Sequence, residues 1–337
     1  MTVMTTGRVL LAGATALAIS VAGGLSQAGA ATAWDLPLAW PDGNFHVANA
    51  KTFAEEVNKA TGGEITINIH PGGSLGFKGP EMLKSLRDGL VPIGDYFLSQ
   101  QVGEEPFFGL ESMPFLATGY EDLQTLNKHW RPEIEKIAAE KWNQKILYMV
   151  PWPRQYVYTK VPAKAVDDLK GIKIRTYNRS TTDLFNSVGM TSVLLPWGEV
   201  VPALAAGTID AVTTSASSGV DGKFWEFLKY MYPTSHVWGS NVVAVNLDAW
   251  NGLSDEQRAA IEEVAERLEP QFWQVSRQED ETKAKILTDN GVVMGEVTPA
   301  MLTEMQDRTA GMVDVFIKEV GGKSADVIGA YRKARGQ

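Results

Sequence analysis

Ser74 lies in Gly-Gly-Ser-Leu-Gly, Gly72 to Gly76, the G-x-S-x-G spacing that can set a nucleophile on a tight strand-to-helix turn beside a base. Here His-Pro-Gly-Gly intervenes after the preceding strand pattern, and the next helical pattern opens only near Pro80. His129 and His236 are the histidines downstream. The stretch reads as a glycine-rich loop, with acyl transfer at Ser74 as the competing reading. Arg175 ends the run Asp-Leu-Lys-Gly-Ile-Lys-Ile-Arg-Thr-Tyr-Asn, Asp168 to Asn178. Period-two alternation puts Ile172 and Ile174 on one face of a strand and Lys173 and Arg175 on the other. Taken alone, that is a solvated basic edge. The pairs Glu104-Glu105 and Asp167-Asp168 are adjacent, so on regular structure they point apart and do not make a glycosidase couple. Four histidines, at 46, 70, 129 and 236, form no H-E-x-x-H, and the chain has no cysteine. A thiolate metal site and a disulfide framework are therefore excluded. The glycines make neither a P-loop nor G-x-G-x-x-G, and no cofactor or metal is expected. Ten tryptophans are the unusual holding. Trp40, Trp152, Trp197, Trp225 and Trp238 fall near strand ends or loops, where they pack in a core or line an apolar pocket with a polar rim.

The elements that must place these residues follow from periodicity. Trp34 to Trp40 reads as a strand, Val47 to Thr61 as a helix stopped by Gly62-Gly63, Glu64 to His70 as a strand, Gly79 to Val91 as a helix and Val91 to Phe97 as a strand. That β-α-β-α-β order predicts an α/β domain with a largely parallel sheet. Gln144 to Trp152 is a further strand. The pattern then restarts over about 90 residues: strands at 154–159, 172–177, 191–196 and 209–215, with helices at 180–189 and 197–208. A long amphipathic helix is predicted from Ser254 to Asn290, with Ser254 and Gln257 as a capping box and Ile261, Val264, Ala265, Leu268, Phe272 and Val275 as its apolar stripe. It would run about 50 Å, longer than one such domain is wide, and Pro270 should bend it. The expectation is an α/β two-lobed clamshell with the long helix lying over both lobes: 34–153 plus 245–290 as lobe I, 154–244 as lobe II, and 291–337 as a C-terminal helical segment packing on them.

The chain has 337 residues and a net charge of −9, which gives no general attraction to nucleic acid or anionic lipid. Residues 1–30 read as a secretory signal: Arg8 in a short polar start, an apolar stretch from Val9 to Leu25, then small residues at Ala28, Ala30, Ala31 and Ala33. A membrane anchor is the competing reading, because the apolar stretch is nearly long enough to span. The expected location is the periplasm, with the signal cleaved.

Arg154 to Asn178, Val188 to Thr214 with its Pro-Trp-Gly-Glu-Val and Ala-Leu-Ala-Ala-Gly-Thr-Ile-Asp segments, the Phe53 to Gly76 stretch, Ser112 to Asp122 and Val245 to Ile261 together resemble the DctP-type solute-binding proteins of tripartite ATP-independent periplasmic (TRAP) transporters. The resemblance covers essentially the whole mature chain. It implies a receptor, not an enzyme, whose lobes close over an organic acid and deliver it to the small and large membrane permease subunits.

It also implies that Arg175 holds the ligand carboxylate with its planar fork, a geometry lysine cannot supply. Arg154 stands at a second arginine position, where a ligand contact and a supporting inter-lobe role are both open. Trp197 matches a cleft-facing position, Glu199 a helix-start and hinge position, and Thr214 a place where sialic-acid-binding relatives carry asparagine. That departure argues against a sugar acid. Trp152, Trp197 and Trp238 opposite an arginine fit a flat carboxylate such as a benzoate or an aryl keto acid, with an aliphatic carboxylate as the alternative. Trp40, Asn44, His46, Tyr96 and Phe97 are candidates for the facing wall, and Asn241 for a donor to the ligand. A different importer or a sensor remains open as partner, as does a monomer or a helix-mediated dimer.

Overall fold

The structure, a computed structural model, describes residues 31–336. The expected signal segment, 1–30, lies outside the described residues. The chain begins with β1 (Thr32–Pro37), α1 (Phe45–Ala60), β2 (Ile65–His70), α2 (Met82–Arg87), β3 (Ile93–Phe97), α3 (Tyr120–Trp142) and β4 (Gln144–Pro151). It crosses to a second lobe made of β5 (Gln155–Thr159), β6 (Lys173–Thr176), α4 (Arg179–Ser187), β7 (Thr191–Leu194), α5 (Val200–Ala205), β8 (Ala211–Ser215), α6 (Ala216–Asp221) and β9 (Tyr230–Tyr232). It returns through β10 (Ser240–Asn246), α7 (Leu247–Asn251) and α8 (Asp255–Asp289), and ends with β11 (Val293–Met294), α9 (Pro299–Thr309), α10 (Met312–Val320) and α11 (Ser324–Ala334).

The first lobe carries the parallel pair β1-β2 and, packed against β1, the sheet β3-β10-β4. The second carries a six-stranded sheet in the order β11-β9-β5-β8-β6-β7. The sheets are not largely parallel as the sequence pattern predicts: the β1-β2 pair is parallel, but the three-stranded sheet has only antiparallel pairs and the six-stranded sheet is mixed. β10 runs antiparallel to β3 and β4, and β5 antiparallel to β8 and β9. Each is a crossing strand that enters its sheet from the hinge end, against the direction of strands that approach the hinge. The pairing of β10 also places 240–244, expected in lobe II, in the first lobe's sheet. β11 pairs with β9, so the C-terminal segment opens with a strand of the second lobe before its helices.

Both crossing segments are pinned. Trp152 N donates to Gly239 O at 2.8 Å, and Ser112 Oγ donates to Trp238 O at 2.8 Å. Buried Glu111 accepts from Ser240 N at 2.5 Å and from Ser240 Oγ at 2.8 Å. Helix α8 supplies the third connection. Its Ser254–Gln257 capping box forms as expected, at 3.2 and 3.0 Å. Its 35 residues continue through Pro270. The same helix buries Ile261, Val264, Leu268 and Phe272 in the first lobe's core, and Ala284 and Leu287 in a core of the second. Val275, expected on the buried stripe, is half-buried against the first core. A helix with its apolar face committed to both lobes cannot follow one without strain in the other, so it limits how the lobes move.

Candidate functional site

Where the cleft closes, the C-terminal ends of several strands meet. Arg175 stands near the end of β6, and although its type is charged it is only 3% exposed. Lys173, two residues earlier on the same face, is exposed. The cleft thus covers only the last part of the strand face. Arg175 Nε donates to Leu195 O at 3.0 Å. Among the described residues neither terminal nitrogen has a hydrogen-bond partner, and no carboxylate forms an ion pair with this arginine. Burial pushes its pKa down to about 10, only partly offset by Tyr177, whose ring centroid lies 5.4 Å from the guanidinium carbon.

Arg175 lines a narrow cavity, with about 340 Å³ of atom-free space when the open solvent at its mouth is counted. Trp40, Phe97 and Trp152 wall it from the first lobe, and Tyr177 and Trp197 from the second. Trp40 and Trp152 meet edge to face at 4.7 Å, Phe97 and Tyr177 at 5.5 Å. Gly239 makes room for this wall, because a Cβ there would collide with the Phe97 ring. Gln100, Gln155, Thr214 and Ser218 add neutral polar groups. Among the described residues, Arg175 is the only charged one in the lining.

The structure therefore brings together Arg175, Trp197, Thr214, Trp152, Trp40 and Phe97 from the residues singled out in the sequence. The others lie elsewhere. Arg154 does not line the cavity: its Nε donates to Asp280 Oδ2 on α8 at 2.6 Å, and Asp280 also accepts from Tyr156 Oη at 2.9 Å. This ion pair through Nε, on a half-exposed side chain, ties a crossing segment to the long helix. Tyr96 faces the opposite side of β3 from Phe97 and donates to Gln144 Oε1 at 3.0 Å. Trp238 is buried against Tyr120, ring centroids 4.8 Å apart. Asn241 sits behind the wall, its Nδ2 donating to Asp95 Oδ1 at 2.5 Å and its Oδ1 accepting from Trp152 Nε1 at 2.7 Å. Asp95 Oδ1 also accepts from Trp40 Nε1 at 2.9 Å. His46 packs on Phe45 and Trp152, at 4.0 and 4.5 Å, and burial pushes its pKa down to about 3.

Gln100, Gln155, Tyr177 and Ser218 escaped the sequence reading. Tyr177 carried a signal, since it lies two residues beyond Arg175 and shares its face. Gln155, which lines the cavity, follows Arg154 directly in sequence. Ser74 is exposed, makes no side-chain hydrogen bond among the described residues, and is followed by a helix only at Met82. Its loop is held by backbone bonds from Gly72 N to Trp40 O (2.6 Å) and Gly73 N to Leu38 O (2.9 Å). That geometry presents no nucleophile to a base.

Polar contacts also join the lobes around the cavity. Asn44, the N-cap of α1, donates to Asp221 Oδ2 at 2.6 Å. Asn178 Nδ2 donates to Ser99 Oγ at 2.9 Å. Lys78 and Glu199 pair at 3.6 Å on the rim.

Residues 38–319 match the DctP family, bacterial extracellular solute-binding protein, family 7. Among solved structures the chain is similar to DctP7 of Bordetella pertussis, an extracytoplasmic solute receptor binding pyroglutamic acid. The two are 32% identical, with a TM-score of 0.87 over 90% of this chain and 100% of that one. It is also similar to a marine metagenome TRAP solute-binding protein specific for pyroglutamate, at 34% identity and a TM-score of 0.86, covering 90% of this chain and 99% of that one. The 2,3-diketo-L-gulonate-binding periplasmic protein YiaO of Escherichia coli is 27% identical over 64% of this chain and 66% of its own length. The chain belongs to the DctP family of extracytoplasmic solute-binding proteins, receptors of TRAP transport systems and not enzymes.

Proposed function

We propose that this receptor captures a small cyclic monocarboxylate, with L-pyroglutamate as the leading candidate, in the periplasm, and hands it to a TRAP membrane permease. The observation that carries the reading is Arg175: a buried guanidinium with two unengaged nitrogens in a cavity whose other lining residues are neutral. A carboxylate meets that fork in a bidentate, charge-assisted pair. With one positive charge and no acid among the described lining residues, a second carboxylate and an ammonium group both lack a partner. Burying either unpaired is costly. The site thus favours a monoanion without an amine, and discriminates pyroglutamate from glutamate.

The aromatic walls suit a flat ring, as a benzoate or an aryl keto acid would also present. Gln100, Gln155, Thr214 and Ser218 favour a ring carrying its own amide donor and acceptor, which a benzoate lacks. The two relatives named for pyroglutamate, at 32% and 34% identity, support the same choice. Titration calorimetry on protein freed of co-purified ligand by unfolding and refolding tests it. L-pyroglutamate should bind at least about 100-fold more tightly than L-glutamate or benzoate, a difference of about 2.7 kcal/mol. Benzoate binding as tightly as L-pyroglutamate contradicts the lactam reading.

A further inference from the structure

We propose that Asp95 is a positioning residue for the ligand: with Asn241 it fixes the planes of Trp40 and Trp152, the two indoles of the cavity wall. The proposal rests on the reading of this cavity as the ligand site. Asp95 lies on β3 two residues before Phe97, and so on the same strand face. It is buried, and nothing in the capture of a carboxylate by Arg175 uses it. Asn241 stands opposite Phe97 on the neighbouring β10. The chain of bonds is directional. An indole N–H only donates, so Asn241 must turn its oxygen to Trp152 and its amide nitrogen to the Asp95 carboxyl, which accepts from Trp40 as well. One acceptor therefore anchors the first indole directly and the second through a single amide. Because the rings also meet edge to face, releasing one loosens the other.

The arrangement is a costly way to fill a core. Burial pushes the Asp95 carboxyl up to about 7, even though Trp40 and Asn241 pull it down. An apolar side chain of similar size would avoid that penalty. It could not set two indole planes relative to each other, and those planes form the wall facing the lobe that carries Arg175.

The test begins without ligand. In ¹H–¹⁵N spectra of the full chain, Trp40→Phe and Trp152→Phe assign the two indole N–H signals. Asp95→Ala should move both and speed their exchange with solvent. Asn241→Leu, the second variant should the first fold poorly, should move the Trp152 signal chiefly. By calorimetry Asp95→Ala and Asn241→Leu should weaken L-pyroglutamate by about tenfold or more, as expected for loss of a charge-assisted hydrogen bond. Asp95→Asn, which keeps an accepting oxygen in place, should recover most of that affinity. In a Trp40→Phe/Trp152→Phe background, adding Asp95→Ala should weaken binding no further. Indole signals that stay in place overturn the proposal. So do signals that move while affinity holds within about twofold, a shift expected of a purely structural group. An Asp95→Ala loss that persists undiminished in the double-phenylalanine background also overturns it. If the wild type fails to bind L-pyroglutamate, the ligand reading falls, and the indole signals still decide whether Asp95 fixes the two tryptophans.

Discussion

Arg175 combines two properties that rarely coexist without a partner: a permanent charge and near-complete removal from water. Its carbonyl contact to Leu195 and the Tyr177 ring leave the fork unsatisfied toward the cavity. A ligand carboxylate therefore gains two bonds and relieves a buried charge, a larger change than an exposed ion pair makes. Lysine in the same place keeps the charge and loses the second bond. Arg175→Lys should weaken L-pyroglutamate binding by about 1.5–3 kcal/mol, roughly 10- to 150-fold, with the melting temperature of the ligand-free protein little changed. Calorimetry and a thermal melt measure the two together, and wild-type affinity in the lysine variant contradicts the bidentate geometry. Part of this was legible in sequence. Alternation put Lys173 and Arg175 on one face. Which of the two the cleft covers depends on where the other lobe ends, and no local pattern encodes that. Arg154 shows the same limit. Its type suits a carboxylate, but the carboxylate it holds is Asp280, 126 positions away.

The elements explain why the cavity can open. Between the lobes lie two short crossing segments and α8, with Glu111 holding the start of β10 through Ser240. Burial raises the Glu111 pKa to about 7, above its ordinary 4.5 and against the pull of the Ser240 bonds. The folded protein thus keeps this proton over a pH range in which the unfolded chain has lost it. Its contribution to stability is greatest below the unfolded pKa and falls as pH rises, until the folded carboxyl has also ionised near pH 7. Glutamine mimics the protonated form. Glu111→Gln should leave the melting temperature near wild type at pH 5 and raise it relative to wild type at pH 8. A difference between the two proteins that does not grow with pH contradicts a carboxyl held neutral at the hinge. Helices α1, α2, α4, α5 and α8 and most strands were legible in periodicity and caps, Ser254–Gln257 most clearly, whereas α3 (Tyr120–Trp142) was not singled out. The lobe that owns β10 was not, because a fully buried run such as Ser240 to Asn246 says that a strand is covered, not by which sheet.

At the scale of the whole molecule, binding is a shift between open and closed lobes, and a ligand moves that balance only by contacting the closed form better. Asn44–Asp221 and Asn178–Ser99 add protein contacts that exist only when the lobes meet. Burial raises Asp221 to about 6, with Asn44 and Lys283 opposing and Glu279 reinforcing. Asn44→Asp keeps an N-cap oxygen for α1 but sets a second carboxylate against Asp221. Affinity should fall by about tenfold or more at pH 8, where both are ionised, and by less at pH 5, where one proton can bridge them. Equal losses at the two pH values would count against an inter-lobe latch. The clamshell itself could be inferred from two α/β patterns and one helix too long for either. The closing contacts could not, since each joins residues from opposite lobes. The central claim is that one buried guanidinium receives the solute's carboxylate, and the most direct measurement is titration calorimetry of L-pyroglutamate into ligand-free wild type and Arg175→Ala. The expected result is tight binding to the wild type, weakened by about 2–5 kcal/mol, roughly 30- to 4000-fold, in the variant. Equal affinity in the two proteins contradicts it.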